Sequence, residues 1–117
     1  MKFLIYGGKG WIGQQFIEIL EKNKINYCLG SSRVENFKSL EEEISSINPT
    51  HLISLIGRTH GKINEKEYTT IDYLEQKGKI FENVRDNLFS PLLLAILSNK
   101  KNIHFTYLGT GCIFNDF

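Results

Sequence analysis

The stretch KFLIYGGKGWIG, Lys2 to Gly13, constrains the fold of this chain more than any other. Lys2 to Tyr6 reads as a short buried strand, Gly7 to Gly10 as a tight turn, and Trp11 onward as the first turn of a helix. Gly7, Gly10 and Gly13 recur at every third position. Between a strand and a helix, the first glycine permits the turn and the second lets the backbone approach a diphosphate. The third lets helix and strand pack closely, and the positive end of the helix dipole faces the phosphates. A glycine triplet by itself is a weak signal, because glycine also ends strands for structural reasons. Its place directly after an N-terminal strand and before an amphipathic helix favours dinucleotide binding over a bare turn. The candidate contacts in this stretch are Gly7, Gly10, Trp11, Ile12 and Gly13.

The rest of the chain alternates strand and helix patterns. Trp11, Phe16, Ile17 and Leu20 place one apolar face of the first helix on a sheet, with Gln15, Glu18, Glu21 and Lys22 toward water, and Asn23 and Lys24 end it. Ile25 to Leu29 is a second strand, followed by the polar loop GSSRVEN. Leu40, Ile44 and Ile47 mark the inner face of a second helix that carries Glu41 to Glu43 outside and stops at Pro49. His51 to Ile56 is a third strand leading into the loop GRTHGKIN. Lys79 to Asn99 is helical, with Ile80, Val84 and Leu88 four apart and a kink expected at Pro91. Ile103 to Leu108 is a fourth strand, before GTGCIFNDF.

This alternation predicts an α/β fold, a doubly wound parallel sheet with right-handed crossovers. The expected strand order is three, two, one, four, with the ligand crevice beside the first strand where the order reverses. A fourth strand such as HFTYL left at an edge would invite pairing with another chain, and a doubly wound domain would lack its final strands. The 117 residues are therefore read as one domain, incomplete at its C-terminal side and the front half of a longer protein.

Charge and composition exclude several classes. A net charge of +1 gives no basic footprint for nucleic acid. Met1 to Tyr6 is too short for a signal-peptide core, and Leu92 to Leu97 is too short to span a bilayer, which points to a cytoplasmic protein without membrane contact. Cys28 and Cys112 make no disulfide framework, and His51, His60 and His104 lack metal-ligand spacing.

With GGKGWIG, SSRVEN, Asn87 followed by Pro91, and TGCIF in view, the chain resembles an extended short-chain dehydrogenase/reductase over essentially its whole length. The likeness is greatest to the dTDP-4-dehydrorhamnose reductases and to the epimerase/reductase domain of plant-type rhamnose synthases. That resemblance implies a Rossmann-type NAD(P)-binding domain. It also implies an NADPH-dependent epimerase/reductase acting on a nucleoside-diphosphate 4-keto-6-deoxyhexose in rhamnose synthesis, a nucleotide-sugar partner, and an assembly state that leaves a homodimer open. A simple 4-keto reductase without epimerase activity, and a non-catalytic dinucleotide-binding regulatory subunit, stand as alternatives.

Where a reader of NAD carries Asp or Glu after the second strand, this chain has Ser31, Ser32 and Arg33. A guanidinium with two hydroxyls matches the 2′-phosphate of NADP(H), so NADP(H) is expected in preference to NAD(H), and a solvated loop arginine is the plainer reading. By resemblance Thr110 binds the substrate carbonyl oxygen as hydride arrives, and Cys112 serves as acid/base on a carbon beside the ketone. A threonine bonded to its own loop and a small buried cysteine are the plainer readings. Asn87 resembles the helix asparagine that holds active-site backbone, and Gly57 the glycine lining the adenosine side of the cofactor; Arg58, Thr59 and His60 follow it. Tyr73 and Lys77 match the Tyr-x-x-x-Lys spacing of the reductase acid but precede the Thr110 strand, so they are assigned to structure, and the true pair is expected beyond Phe117.

Overall fold

The computed structural model of the chain describes residues 1–109. Strand β1 (Lys2–Tyr6) is followed by helix α1 (Trp11–Lys22), strand β2 (Asn26–Leu29), helix α2 (Phe37–Ile47) and strand β3 (His51–Ser54). A hairpin of β4 (Gly61–Ile63) and β5 (Lys66–Tyr68) and a 3-10 turn (Ile71–Tyr73) come next. Helix α3 (Ile80–Val84) continues through a π turn (Arg85–Phe89) into helix α4 (Ser90–Lys100), and strand β6 (His104–Tyr107) ends the described chain.

The four long strands form one parallel sheet, as the alternation of strand and helix predicts. Leu4 of β1 lies opposite Cys28 on one side and Leu52 on the other. Leu4, Tyr6 and Leu52 pack against Leu40 and Ile44 of α2 and Leu94 and Leu97 of α4, which form the core. Full burial of each such leucine stabilises the fold by about 1.5–3 kcal/mol. Ile5 alternates to the other face, where α1 lies and Phe3 meets Phe16 edge-on at 6.2 Å between ring centroids.

The strand order is β2-β1-β3-β6, which corrects the expected order. The third strand lies on the far side of β1 instead of outside the second. Burial explains it: Leu52, Ile53 and Ser54 of β3 are buried, so β3 needs neighbours on both edges, whereas no residue of β2 is buried and it suits an edge. The winding order therefore reverses between β1 and β3 while the strands stay parallel, and the crevice at the carboxyl ends remains beside β1.

Helix α2 starts at Asn36, whose side chain accepts from the Ser39 amide, and stops at Asn48, whose left-handed φ of 48° precedes Pro49. Trp11 was expected on the inner face of α1 but is 79% exposed, because it opens the helix beyond the edge of the sheet; Leu20 is the deeply buried residue of that face. The disturbance expected at Pro91 is the π turn just before it. Proline lacks an amide hydrogen and its ring crowds the carbonyl four residues back. Widening the preceding turn lets the Ser90 amide and its hydroxyl both donate to the Arg85 carbonyl, the latter at 2.7 Å.

The segment expected as a plain loop after β3 forms the β4/β5 hairpin, with Gly61 opposite Tyr68 and Ile63 opposite Lys66. A side chain at Gly61 would meet the Tyr73 ring at 2.5 Å, so the hairpin rests on this buried tyrosine. Strands of three residues carry too little periodicity to be recognised in the sequence.

Candidate functional site

The glycine turn sits at the carboxyl end of β1. Gly7 adopts a φ of +83°, and a Cβ there would stand 2.6 Å from the carbonyl carbon of Leu55. A Cβ at Gly13 would strike the Gly7 carbonyl oxygen and the Gly8 backbone at 2.6 Å. These two positions are glycine because β1, α1 and the segment after β3 approach one another so closely. Gly10 differs: its amide donates to the Gly7 carbonyl at 3.1 Å, and a Cβ would lie 3.4 Å from that oxygen, facing open space. No side chain caps the first turn of α1 and no acidic residue stands in it. Trp11 and Ile12 project outward from the same turn. The positive end of the helix dipole is thus left available to an external anion.

Two cavities flank this turn and share Gly7 and Gly30 as walls. One of about 410 Å³ is lined by Ile5, Gly8, Lys9, Leu29 and Ser31. The other, of about 190 Å³, is lined by Tyr6, Ser32, Arg33, Glu35, Ile56 and Asp86 among others. Together they run over the carboxyl ends of β1 and β2, where an open α/β sheet takes its ligand.

The loop after β2 is organised by a carboxylate that reading the sequence placed on the outer face of α2. Glu43 turns back toward the sheet and accepts from the Ser31 amide at 2.7 Å, the Ser31 hydroxyl at 2.5 Å, the Ser32 amide at 3.2 Å and the Tyr6 hydroxyl at 2.6 Å. Burial alone would raise this carboxyl, but the hydrogen bonds from Ser31, Tyr6 and the two amides outweigh it and hold Glu43 at about 2. Tyr6 is pushed well above the usual tyrosine range by burial first and then by Glu43. Gly30 makes the arrangement possible, since any side chain there would overlap the Tyr6 ring. The Ser32 hydroxyl donates to the Ser39 carbonyl at 3.2 Å. Both serine hydroxyls thus donate within the chain. Arg33, with its side chain 73% exposed, remains as the cation, paired to Glu35 at 2.7 Å.

On the other wall, Asn87 of the π turn fixes the chain leaving β3. Its side-chain oxygen accepts from the Arg58 amide at 2.9 Å, and its amide donates to the Arg58 carbonyl at 3.0 Å and to Asn83 at 3.0 Å. Gly57 lies beside it, 3.8 Å from Asn87 Oδ1 to a Cβ built on the glycine. Arg58 and Arg85 both donate to Asp86, at 2.6 and 2.7 Å. Burial would raise Asp86, but these two guanidinium groups lower it below the usual aspartate range. Tyr73 is buried and donates to Glu82 at 2.8 Å, while Lys77 is exposed. Thr110 and Cys112 lie outside the described residues. Among the described residues no cluster of His, Cys, Asp or Glu is arranged to hold a metal, Cys28 is a free thiol, and no helix is long and apolar enough to cross a membrane.

No profile of a known protein family matches the chain. Relatives nonetheless match it along nearly its whole length. An uncharacterised protein of Acanthamoeba polyphaga mimivirus is 54% identical over 114 residues, 97% of this chain. The crystal structure of a UDP-rhamnose synthase from the same virus superposes with a TM-score of 0.92 at 52% identity over 99% of this chain. The bifunctional dTDP-4-dehydrorhamnose 3,5-epimerase/dTDP-4-dehydrorhamnose reductase of Arabidopsis thaliana is 35% identical over 112 residues. This chain is similar, along nearly its whole length, to one part of these longer proteins. It spans 38% of the mimivirus relative and 34% of the Arabidopsis one. A more distant reductase of this kind, from Bacillus anthracis and in complex with NADP, shares the fold with a TM-score of 0.70 at 17% identity, over 89% of this chain and 34% of its own.

Of the residues marked in the sequence, Gly7, Ser31, Ser32 and Arg33 line the two cavities; Gly10, Trp11, Ile12 and Gly13 stand in the adjoining turn and the first turn of α1, and Gly57 and Asn87 neighbour Ile56 and Asp86, which line the smaller cavity. Glu35, Glu43 and Asp86 were not anticipated. Glu43 had one signal, a carboxylate twelve residues after Ser31 on the helix turn between Leu40 and Ile44.

Proposed function

We propose that this chain is the dinucleotide-binding part of an NADPH-dependent sugar-nucleotide epimerase/reductase that acts on a nucleoside-diphosphate 4-keto-6-deoxyhexose. The observation that carries the reading is the glycine turn, tight where side chains would collide and open at Gly10, beneath an uncapped helix N-terminus. That cradle suits a pyrophosphate, and the two cavities flanking Gly7 and Gly30 leave room on both sides for the rest of a dinucleotide. Amides at the start of α1 would hold the diphosphate, and Arg33 would meet a 2′-phosphate, which supports NADP(H) over NAD(H). Bound NADPH supplies a hydride for the 4-keto carbon. Thr110 would hold the ketone oxygen as it gains charge, and Cys112 would exchange the protons on carbons beside the ketone.

Trp11, the single tryptophan of the chain, stands in the first turn of α1 and reports on that site. Titration with NADPH is expected to quench its emission saturably, and more tightly than NADH does. Absence of any response to either nucleotide at millimolar concentration overturns the reading. Reduction of the 4-keto sugar in heavy water separates the two enzymatic possibilities, because only an epimerase/reductase places deuterium on the carbons flanking the ketone.

A further inference from the structure

Resting on that nucleotide-binding reading, we propose that Glu35 determines nucleotide specificity by competing with a 2′-phosphate for Arg33. Val34 is 4% exposed and anchored in the core, so the residues on either side of it project together from the loop. The turn is closed by the Asn36 amide, which donates to the Arg33 carbonyl at 3.0 Å, and Asn36 then caps α2. The arginine and the glutamate are thereby held side by side, Nε to Oε1 at 2.7 Å, and both line the cavity that begins at Gly7 and Gly30. Because the Ser31 and Ser32 hydroxyls are engaged by Glu43 and the Ser39 carbonyl, Arg33 is the group left in this loop to receive a phosphate.

A 2′-phosphate must take the guanidinium from Glu35, and the displaced carboxylate then stands next to a second anion. A 2′-hydroxyl makes no such demand. Asp86 on the facing wall is neutralised by Arg58 and Arg85, so Glu35 is the carboxylate that acts on the incoming phosphate. Glu35 therefore lowers the preference for the phosphorylated cofactor below what Arg33 alone would give. An exposed ion pair of this kind is worth a factor of about two to five in an equilibrium, and removing like-charge repulsion acts in the same direction.

The test uses the full chain, wild type and Glu35→Gln, titrated calorimetrically with NADP⁺ and with NAD⁺. The expected result is about three- to fivefold tighter NADP⁺ binding, with NAD⁺ shifted less than about twofold and a smaller gain at high salt. In an Arg33→Gln background the gain from Glu35→Gln should disappear, a coupling that a merely structural role would not produce. Equal shifts for both nucleotides, or a gain that survives without Arg33, overturn the proposal. If the wild type binds both nucleotides while Glu35→Gln leaves their ratio unchanged, the competition fails but the nucleotide-binding reading stands. If the wild type binds neither, both fall together.

Discussion

Replacing Glu43 by glutamine keeps the side chain's size while removing the charge that four donors converge on. The carboxyl is held at about 2 against an ordinary 4.5. Taken at face value a gap of two units or more is worth about 3 kcal/mol, at about 1.4 kcal/mol per unit. Glu43 is half-buried, so water screens part of this, and about 1–2 kcal/mol is the figure expected in solution. Its sign is fixed by linkage. Above pH 4.5 both states are deprotonated and the contribution is complete. Between 4.5 and 2 the unfolded chain takes up a proton that the native state refuses, so stability falls on acidification. Urea unfolding followed by far-UV circular dichroism at half-unit steps from pH 6 to pH 2 measures it. Wild type should be more stable than Glu43→Gln at pH 6, and the two curves should converge toward pH 2. Asp86 and the other lowered carboxylates act in both proteins, so the difference isolates Glu43. Curves that stay parallel throughout would refute the claim that this carboxylate is held low by Ser31, Ser32 and Tyr6. Glu43→Ala should cost more, because it also orphans the buried Tyr6 hydroxyl at about 1–3 kcal/mol, and Tyr6→Phe in that background should recover part of the loss.

Two of the three glycines separate folding from binding. Gly13→Ala places a methyl 2.6 Å from backbone atoms of Gly7 and Gly8 and should destabilise the chain by more than about 2 kcal/mol in thermal unfolding. Gly10→Ala, with 3.4 Å of clearance, should melt within a few degrees of wild type yet lose NADP⁺ binding at least tenfold by calorimetry. Asn87→Leu removes both bonds to the Arg58 backbone and should cost about 2 kcal/mol, with the Arg58 amide losing most of its protection from hydrogen exchange.

The parts of this molecule that were legible in the sequence are those governed by short-range pattern. Lys2 to Tyr6 followed by spaced glycines and an amphipathic helix has one good solution; α1 and α2 follow from apolar spacing and from Pro49, and the disturbance ahead of α4 from Pro91. Strand order was not legible that way, because it depends on how many edges a strand must bury. The contrast between the buried HLIS and the half-exposed NYCL becomes decisive only once the neighbours of each strand are in place. The engagement of Ser31 and Ser32 was hidden for a different reason. A hydroxyl's partner is chosen in three dimensions, and nothing in the loop itself announces that Glu43 reaches back across the helix. The hairpin after β3 failed on length, with only Ile63 and Tyr68 to suggest alternation.

The Asn87 side chain imitates a neighbouring strand. By presenting one donor and one acceptor to the same residue, it gives Arg58, four residues past the end of β3, the pair of backbone bonds that a strand would give. The direction in which the polypeptide departs from the crevice is consequently dictated by a helix rather than by the departing segment. Thr59, His60 and the hairpin beyond them are relieved of that task, and this stretch is where insertions or exchanged sequences should be tolerated without disturbing the glycine cradle.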